Sequence, residues 1–120
     1  GPLARRSEQP IWTDPASGYL RRTVSPAAGG SRIEIVEVEM PAGARVLLEA
    51  ARSGYRLDQQ FWLLAGEIVI TAGGREHALA AGDCLAMLLD GPISFHNPGA
   101  EPARYAVVLT AADNWNGISS

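Results

Sequence analysis

FWLLAGEIVITAGGREHALAAGDCLAMLLDGPISFHNPGAEPARYAVVLT, residues 61–110, carries the pattern that decides the fold. Short runs rich in Val, Ile, Leu and aromatic residues, at 61–71, 75–79, 84–89, 93–97 and 104–110, are separated by turn-forming clusters such as Ala72-Gly73-Gly74, Gly82-Asp83 and Asp90-Gly91-Pro92. The same texture extends upstream through YLRRTVS (19–25), RIEIVEVEM (32–40) and ARVLLEA (44–50). No stretch has a helix-length amphipathic period. Strand-sized runs with turn signals at roughly 8 to 12-residue spacing predict an all-β sandwich or barrel that closes or doubles its sheet.

Details of individual runs add to this. In 32–40, Glu34, Glu37 and Glu39 alternate with apolar residues except at Ile35-Val36, which predicts a bulge or bend there. In 59–64, both alternating sets are apolar, Phe61 and Leu63 against Trp62 and Leu64. A strand with two apolar faces needs cover on both, from another sheet, from an arm or from a second subunit. The arm, ARRSEQPIWTDPASG (4–18), has no strand or helix period, and its Trp12 is expected to dock on the domain or a partner chain. Residues 1–18 are thus read as a tag remnant (Gly1-Pro2) and linker arm, 19–112 as one barrel domain, and 113–120 as a tail.

With 120 residues, 47% hydrophobic, the chain is long enough to bury a core without staples, and its single cysteine, Cys84, forms no internal bridge. A cytoplasmic location is expected, with no membrane association, since no apolar run approaches the ~20 residues of a spanning helix. A net charge of -3 argues against direct nucleic-acid binding by this segment. All ten basic residues are Arg and Ala, Gly and Pro are abundant, a bias that reads as GC-rich bacterial coding.

The chemistry-bearing residues are sparse. The two histidines, His77 and His96, and Cys84 do not stand at a recognisable metal-ligand spacing. Alternation places His96 on the face opposite Ile93 and Phe95, and His77 reads as a structural, hydrogen-bonded histidine. Cys84 reads as a small buried hydrophobe. No phosphate loop, nucleophile elbow or two-Cys motif is present, so no catalytic residue, metal or cofactor is expected.

Residues 82–97, GDCLAMLLDGPISFHN, match in spacing the second signature of the cupin superfamily, G-x5-P-x-G-x2-H-x3-N, with Gly82 and Asn97 at its ends. Leu88 stands at the Pro position, Asp90 at the turn Gly, and Ile93 at the metal-binding His. FWLLAGEIVI resembles the end of the first signature; counting back from Gly66 puts Gln59 at the metal-binding Glu and places the two His near Ser53 and Tyr55. The resemblance, over about residues 32–110, implies a single cupin-like double-stranded β-helix, a jelly-roll barrel, without the four usual metal ligands. More narrowly, WTDPASGYLRRTVSP, QQFWLLAGEI and HNPGAEPARYAVVL resemble the C-terminal cupin domain of bacterial, Xre-like helix-turn-helix regulators. That likeness implies a non-enzymatic domain that dimerises and senses a small-molecule effector, with DNA bound only through a helix-turn-helix domain upstream of this chain.

In such a barrel the positions that line the interior are Gln59, Phe61, Ile93 and Phe95, with Tyr55 and Met87 as neighbours. An apolar, aromatic lining with one amide suits a small, mostly apolar ligand. It is equally the lining of a barrel filled by its own side chains. Three functions follow: an effector-sensing domain, a small cupin enzyme such as an isomerase or dioxygenase, or an oligomerisation module without a ligand.

Overall fold

The structure, a computed structural model, describes residues 1–27, 30–49, 57–89 and 91–110. The alternating runs form the strands. These are β1 (Ile11–Thr13), β2 (Leu20–Thr23), β3 (Ile33–Met40), β4 (Arg45–Leu48), β5 (Leu57–Ala65), β6 (Glu67–Ala72), β7 (Arg75–Ala80), β8 (Cys84–Leu89), β9 (Ile93–His96) and β10 (Ala103–Thr110). A six-stranded sheet runs β1-β2-β3-β10-β5-β8 and a four-stranded sheet β4-β9-β6-β7, every pair antiparallel. The predicted all-β, doubled-sheet architecture is therefore the observed one.

The core lies between the inner faces. Val36, Val38 and Met40 of β3, Phe61 and Leu63 of β5, Tyr105 and Val107 of β10, Ile68 and Ile70 of β6 and Ile93 and Phe95 of β9 are all buried. Each set follows the period of two that sends alternate side chains to one face. Phe95 reaches across the two sheets, with ring centroids 5.6 Å from Phe61 and 5.8 Å from Tyr105.

The run 61–71 is not one strand. Gly66, at φ +83°, turns the chain from one sheet into the other between β5 and β6. A Cβ there would lie 2.7 Å from the Pro102 carbonyl oxygen and 2.9 Å from the Ala103 Cα, so only glycine fits both the angle and the space. The residue that marks the first signature is thus a corner of the barrel.

Three expectations are corrected. The Ile35-Val36 step carries no bulge: β3 pairs with β10 in unbroken register from Ile33–Thr110 to Met40–Ala103. Alternation is instead kept by placing Ile33 and Ile35 on the outer face, where both are exposed. The irregularity falls on β5, where Ala65 faces Arg104 and Leu63 faces Tyr105, leaving Leu64 as the extra residue. Second, Cys84 is exposed. It pairs opposite Trp62 on the outer face of edge strand β8, its thiol 3.7 Å from the Gln60 amide oxygen. Third, the arm contributes β1, an edge strand antiparallel to β2. The turn that folds it back is legible in Asp14-Pro15-Ala16-Ser17-Gly18: Asp14 accepts hydrogen bonds from the Ser17 amide and hydroxyl, and Gly18 takes φ +79°. Trp12 docks on the domain by packing edge-on against Tyr19, at 5.7 Å between centroids, and stays half exposed.

Candidate functional site

Between the sheets the core is not filled. A cavity of about 190 Å³ is lined by inner-face residues of β3, β4, β5, β9 and β10, and reaches Tyr19 and Arg21 on the arm side. Four of the positions expected to line the interior, Gln59, Phe61, Ile93 and Phe95, meet on its wall. Met87 does not: it faces a separate recess with Ala72, His77 and Leu85 beside β8, although it packs against the core. Its strand is the outermost of the six, which carries the side chain past the barrel's centre. Tyr55 and Ser53 lie outside the described residues, as does the tail from 113 onward.

Further lining residues are supplied by the topology. Arg21 on β2 pairs with Val38 on β3, Val38 with Tyr105 on β10, and Tyr105 with Leu63 on β5, so Arg21 and Tyr105 share one row and one face. Val46 and Leu48 of β4 close the opposite wall. Sequence spacing does not bring β2 and β10 together; only the strand order of the sheet does. Glu49 stands at the end of β4 on the same cavity.

Among the described residues, the polar groups of the lining are neutral amide and phenols with one cation, Arg21, and one anion, Glu49, beside them. Gln59 is 8% exposed and Tyr105 3%. Neither side chain is hydrogen-bonded to protein among the described residues, where the one sealed-off polar side-chain atom without a hydrogen bond is Arg22 Nε on the outer face, 3.6 Å from the Glu37 carboxylate. Burial pushes the Tyr105 phenol far above its ordinary 10.0, and the neighbouring Tyr19 adds to this while the Arg21 cation opposes it. Tyr19 is raised as well, again by burial first. Both phenols are therefore hydrogen-bond donors at neutral pH.

Asn97 shows what the end of the second signature does. Fully buried, it donates through Nδ2 to the carbonyls of Met40 (3.1 Å), Pro41 (3.2 Å) and Glu101 (2.8 Å), and its Oδ1 accepts from the Gly99 amide at 2.9 Å. It ties the ends of β3 and β9 to the loop before β10, closing one end of the barrel. This is a structural post, away from the cavity.

No family model and no curated protein matches the chain. Solved structures do. The Cupin_2 domain of an XRE family transcriptional regulator from Enterobacter cloacae superposes with a TM-score of 0.69 at 13% identity, covering 78% of this chain and 96% of that one. The fold is that of a cupin. An HTH_3 family transcriptional regulator from Vibrio cholerae gives 0.69 at 17% identity over 81% of this chain, which spans 53% of the regulator's length. An ethanolamine utilization protein, EutQ, from Salmonella typhimurium gives 0.69 at 17% over 92% of this chain and 85% of that one.

Cupins are associated with a metal held by imidazoles and a carboxylate inside the barrel, and the donors here do not suit one. Gln59 and Ile93 stand where Glu and His are expected, and an alkyl group does not coordinate. His96 alternates away from Ile93 and Phe95, and His77 lies at the β8 recess. Among the described residues no three His, Cys, Asp or Glu side chains converge. No helix among them is long and apolar enough to cross a membrane.

Proposed function

We propose that this chain is the effector-sensing and dimerising domain of a bacterial, cytoplasmic DNA-binding regulator, and that it performs no catalysis. DNA contact would fall to a helix-turn-helix domain upstream. The observation that carries the sensing role is the cavity itself: about 190 Å³ of space between the two sheets, with Gln59, Phe61, Ile93 and Phe95 on its wall and the exposed Arg21 and Glu49 at its margin. A concave, largely apolar space of this size, with two polar side chains on its wall that no described residue hydrogen-bonds, has the makings of a ligand site. The similarity to the Cupin_2 domain of an XRE family regulator over nearly all of that domain supports the setting.

The Gln59 amide, both donor and acceptor, favours a neutral polar group on the effector at that point. Dimerisation is supported by the outer face of the six-stranded sheet. There Ile35, Val108 and Trp62 are 36%, 37% and 51% exposed on the neighbouring strands β3, β10 and β5. A second copy covering this face satisfies the need for two DNA-reading heads at two half-sites.

Ile93→Trp tests the sensing role. The larger ring fills the cavity, at an overpacking cost of about 1 to 3 kcal/mol, and abolishes the thermal shift given by any small molecule that stabilises the parent chain. A stabilising ligand whose shift survives in Ile93→Trp places binding elsewhere and overturns the reading. Turnover of such a ligand would favour a small cupin enzyme instead.

A further inference from the structure

Gln59 and Tyr105, whose side chains no described residue hydrogen-bonds, lie in different rows of the sheet. Tyr105 is in the row of Leu63, Val38 and Arg21, whereas Gln59 is in the row of Leu109, with the Phe61–Val107 row between them. The apolar rings of Phe61 and Phe95 border the space that separates the two ends. At the Tyr105 end the wall carries a cation, Arg21, which forms no ion pair with another described residue, together with the protonated phenols of Tyr19 and Tyr105. This end offers a positive charge and O–H donors. It is built for an acceptor that carries negative charge. The Gln59 end offers an amide only.

Size narrows the class. A cavity of about 150 Å³ takes up benzene. About 190 Å³ therefore holds one six-membered ring with one or two further heavy atoms, leaving a charged substituent to meet Arg21, which is itself exposed at the cavity's margin. Among the described residues the other charged group on the lining, Glu49, follows the last residue of β4, on the wall of the other sheet.

We propose that the occupant is a single-ring aromatic carboxylate: its ring against the wall formed by Phe61 and Phe95, its carboxylate on Arg21 and the Tyr105 and Tyr19 hydroxyls, and a neutral substituent on Gln59. The proposal rests on the sensing role argued above and specifies its ligand. Arg21 is the residue that selects for charge, while Gln59 reads the opposite substituent.

The test uses the full 120-residue chain and two probes that differ only at the Arg21 end, 4-hydroxybenzoate and 4-methylphenol, followed by titration calorimetry. The carboxylate is expected to bind the parent chain more tightly than the cresol. Arg21→Gln should weaken 4-hydroxybenzoate at least about tenfold, the scale of a lost charge-assisted hydrogen bond, and change 4-methylphenol by less than about twofold. Glu49→Gln should leave the carboxylate's affinity unchanged or raise it. Equal binding of both probes, insensitive to Arg21→Gln, overturns the carboxylate assignment while the sensing role stands, as does weaker carboxylate binding in Glu49→Gln. Absence of binding by both probes also overturns it; uptake of xenon into the same cavity then shows that the sensing role survives with another ligand, and failure to take up xenon removes both.

Discussion

Replacing Asn97 by Ala removes a side chain with no exposed surface that makes four hydrogen bonds, three from Nδ2 to the carbonyls of Met40, Pro41 and Glu101 and one into Oδ1 from the Gly99 amide. Two N–H groups serve the three carbonyls, so one bond is shared, and the Met40 contact is fully buried while the others are partly so. A net hydrogen bond is worth about 1 kcal/mol and an orphaned buried group costs about 1 to 3. Summed with allowance for water reaching the outer carbonyls, the loss is about 2 to 4 kcal/mol. For a domain of this size that lowers Tm by about 6 to 20 °C. Urea unfolding followed by tryptophan fluorescence reads it as a lower midpoint at unchanged slope. Asn97→Asp sharpens the test. Its carboxylate faces three carbonyls at neutral pH, so its pKa in the folded state is raised, and the deficit should shrink as pH falls and the protonated acid regains a donor. A loss below about 1 kcal/mol for Asn97→Ala, or an Asn97→Asp deficit that does not respond to acid, would refute the view of Asn97 as the post that closes the barrel.

Gly66→Ala should destabilise more than Gly73→Ala in denaturant melts: both glycines have positive φ, but only the Gly66 Cβ meets backbone, at 2.7 and 2.9 Å, while Gly73 has open space. Equal losses would mean that the corner relaxes. Tyr105 makes stability fall at high pH. Its folded pKa lies above the unfolded 10.0, so above pH 10.0 the unfolded chain loses protons that the folded chain retains, and stability declines as pH rises. Tyr105→Phe should flatten that alkaline limb in urea melts, with the residual slope left to Tyr19, whose shift has the same sign. A parent and variant with identical limbs would contradict the burial of the phenol. Trp62→Glu should convert a species of twice 12.7 kDa to one of 12.7 kDa in light scattering, whereas an unchanged dimer would move the interface off the outer face.

Most of the scaffold was legible because a half-buried strand writes its period of two into the sequence. Residues 32–40, 75–79, 84–89, 93–97 and 104–110 all coincide with strands to within a residue or two. What misled was the assumption that every apolar residue on a strand faces inward: Ile33 and Ile35 point out in regular register, and so does Cys84. β1 escaped notice because three residues are too short to show a period, although the turn chemistry at Asp14 to Gly18 announces the hairpin. Gln59, Phe61, Ile93 and Phe95 were placed on one cavity from family spacing and alternation. Arg21 and Tyr105 were not, since their proximity depends on β2 and β10 both flanking β3, a long-range pairing that spacing does not encode. Met87 shows the complementary error: its inward face was right, but an edge strand carries it beside the cavity and not into it.

The sensing role requires that the barrel interior be open. Crystals of the chain pressurised with xenon measure this directly, because an apolar cavity of about 150 Å³ is known to take up the gas. One ordered xenon site bounded by Phe61, Ile93 and Phe95, absent from Ile93→Trp crystals under the same pressure, is the predicted result. Absence of xenon density against these side chains, in parent and variant alike, would contradict the sensing role and leave a domain whose work is to hold two chains together.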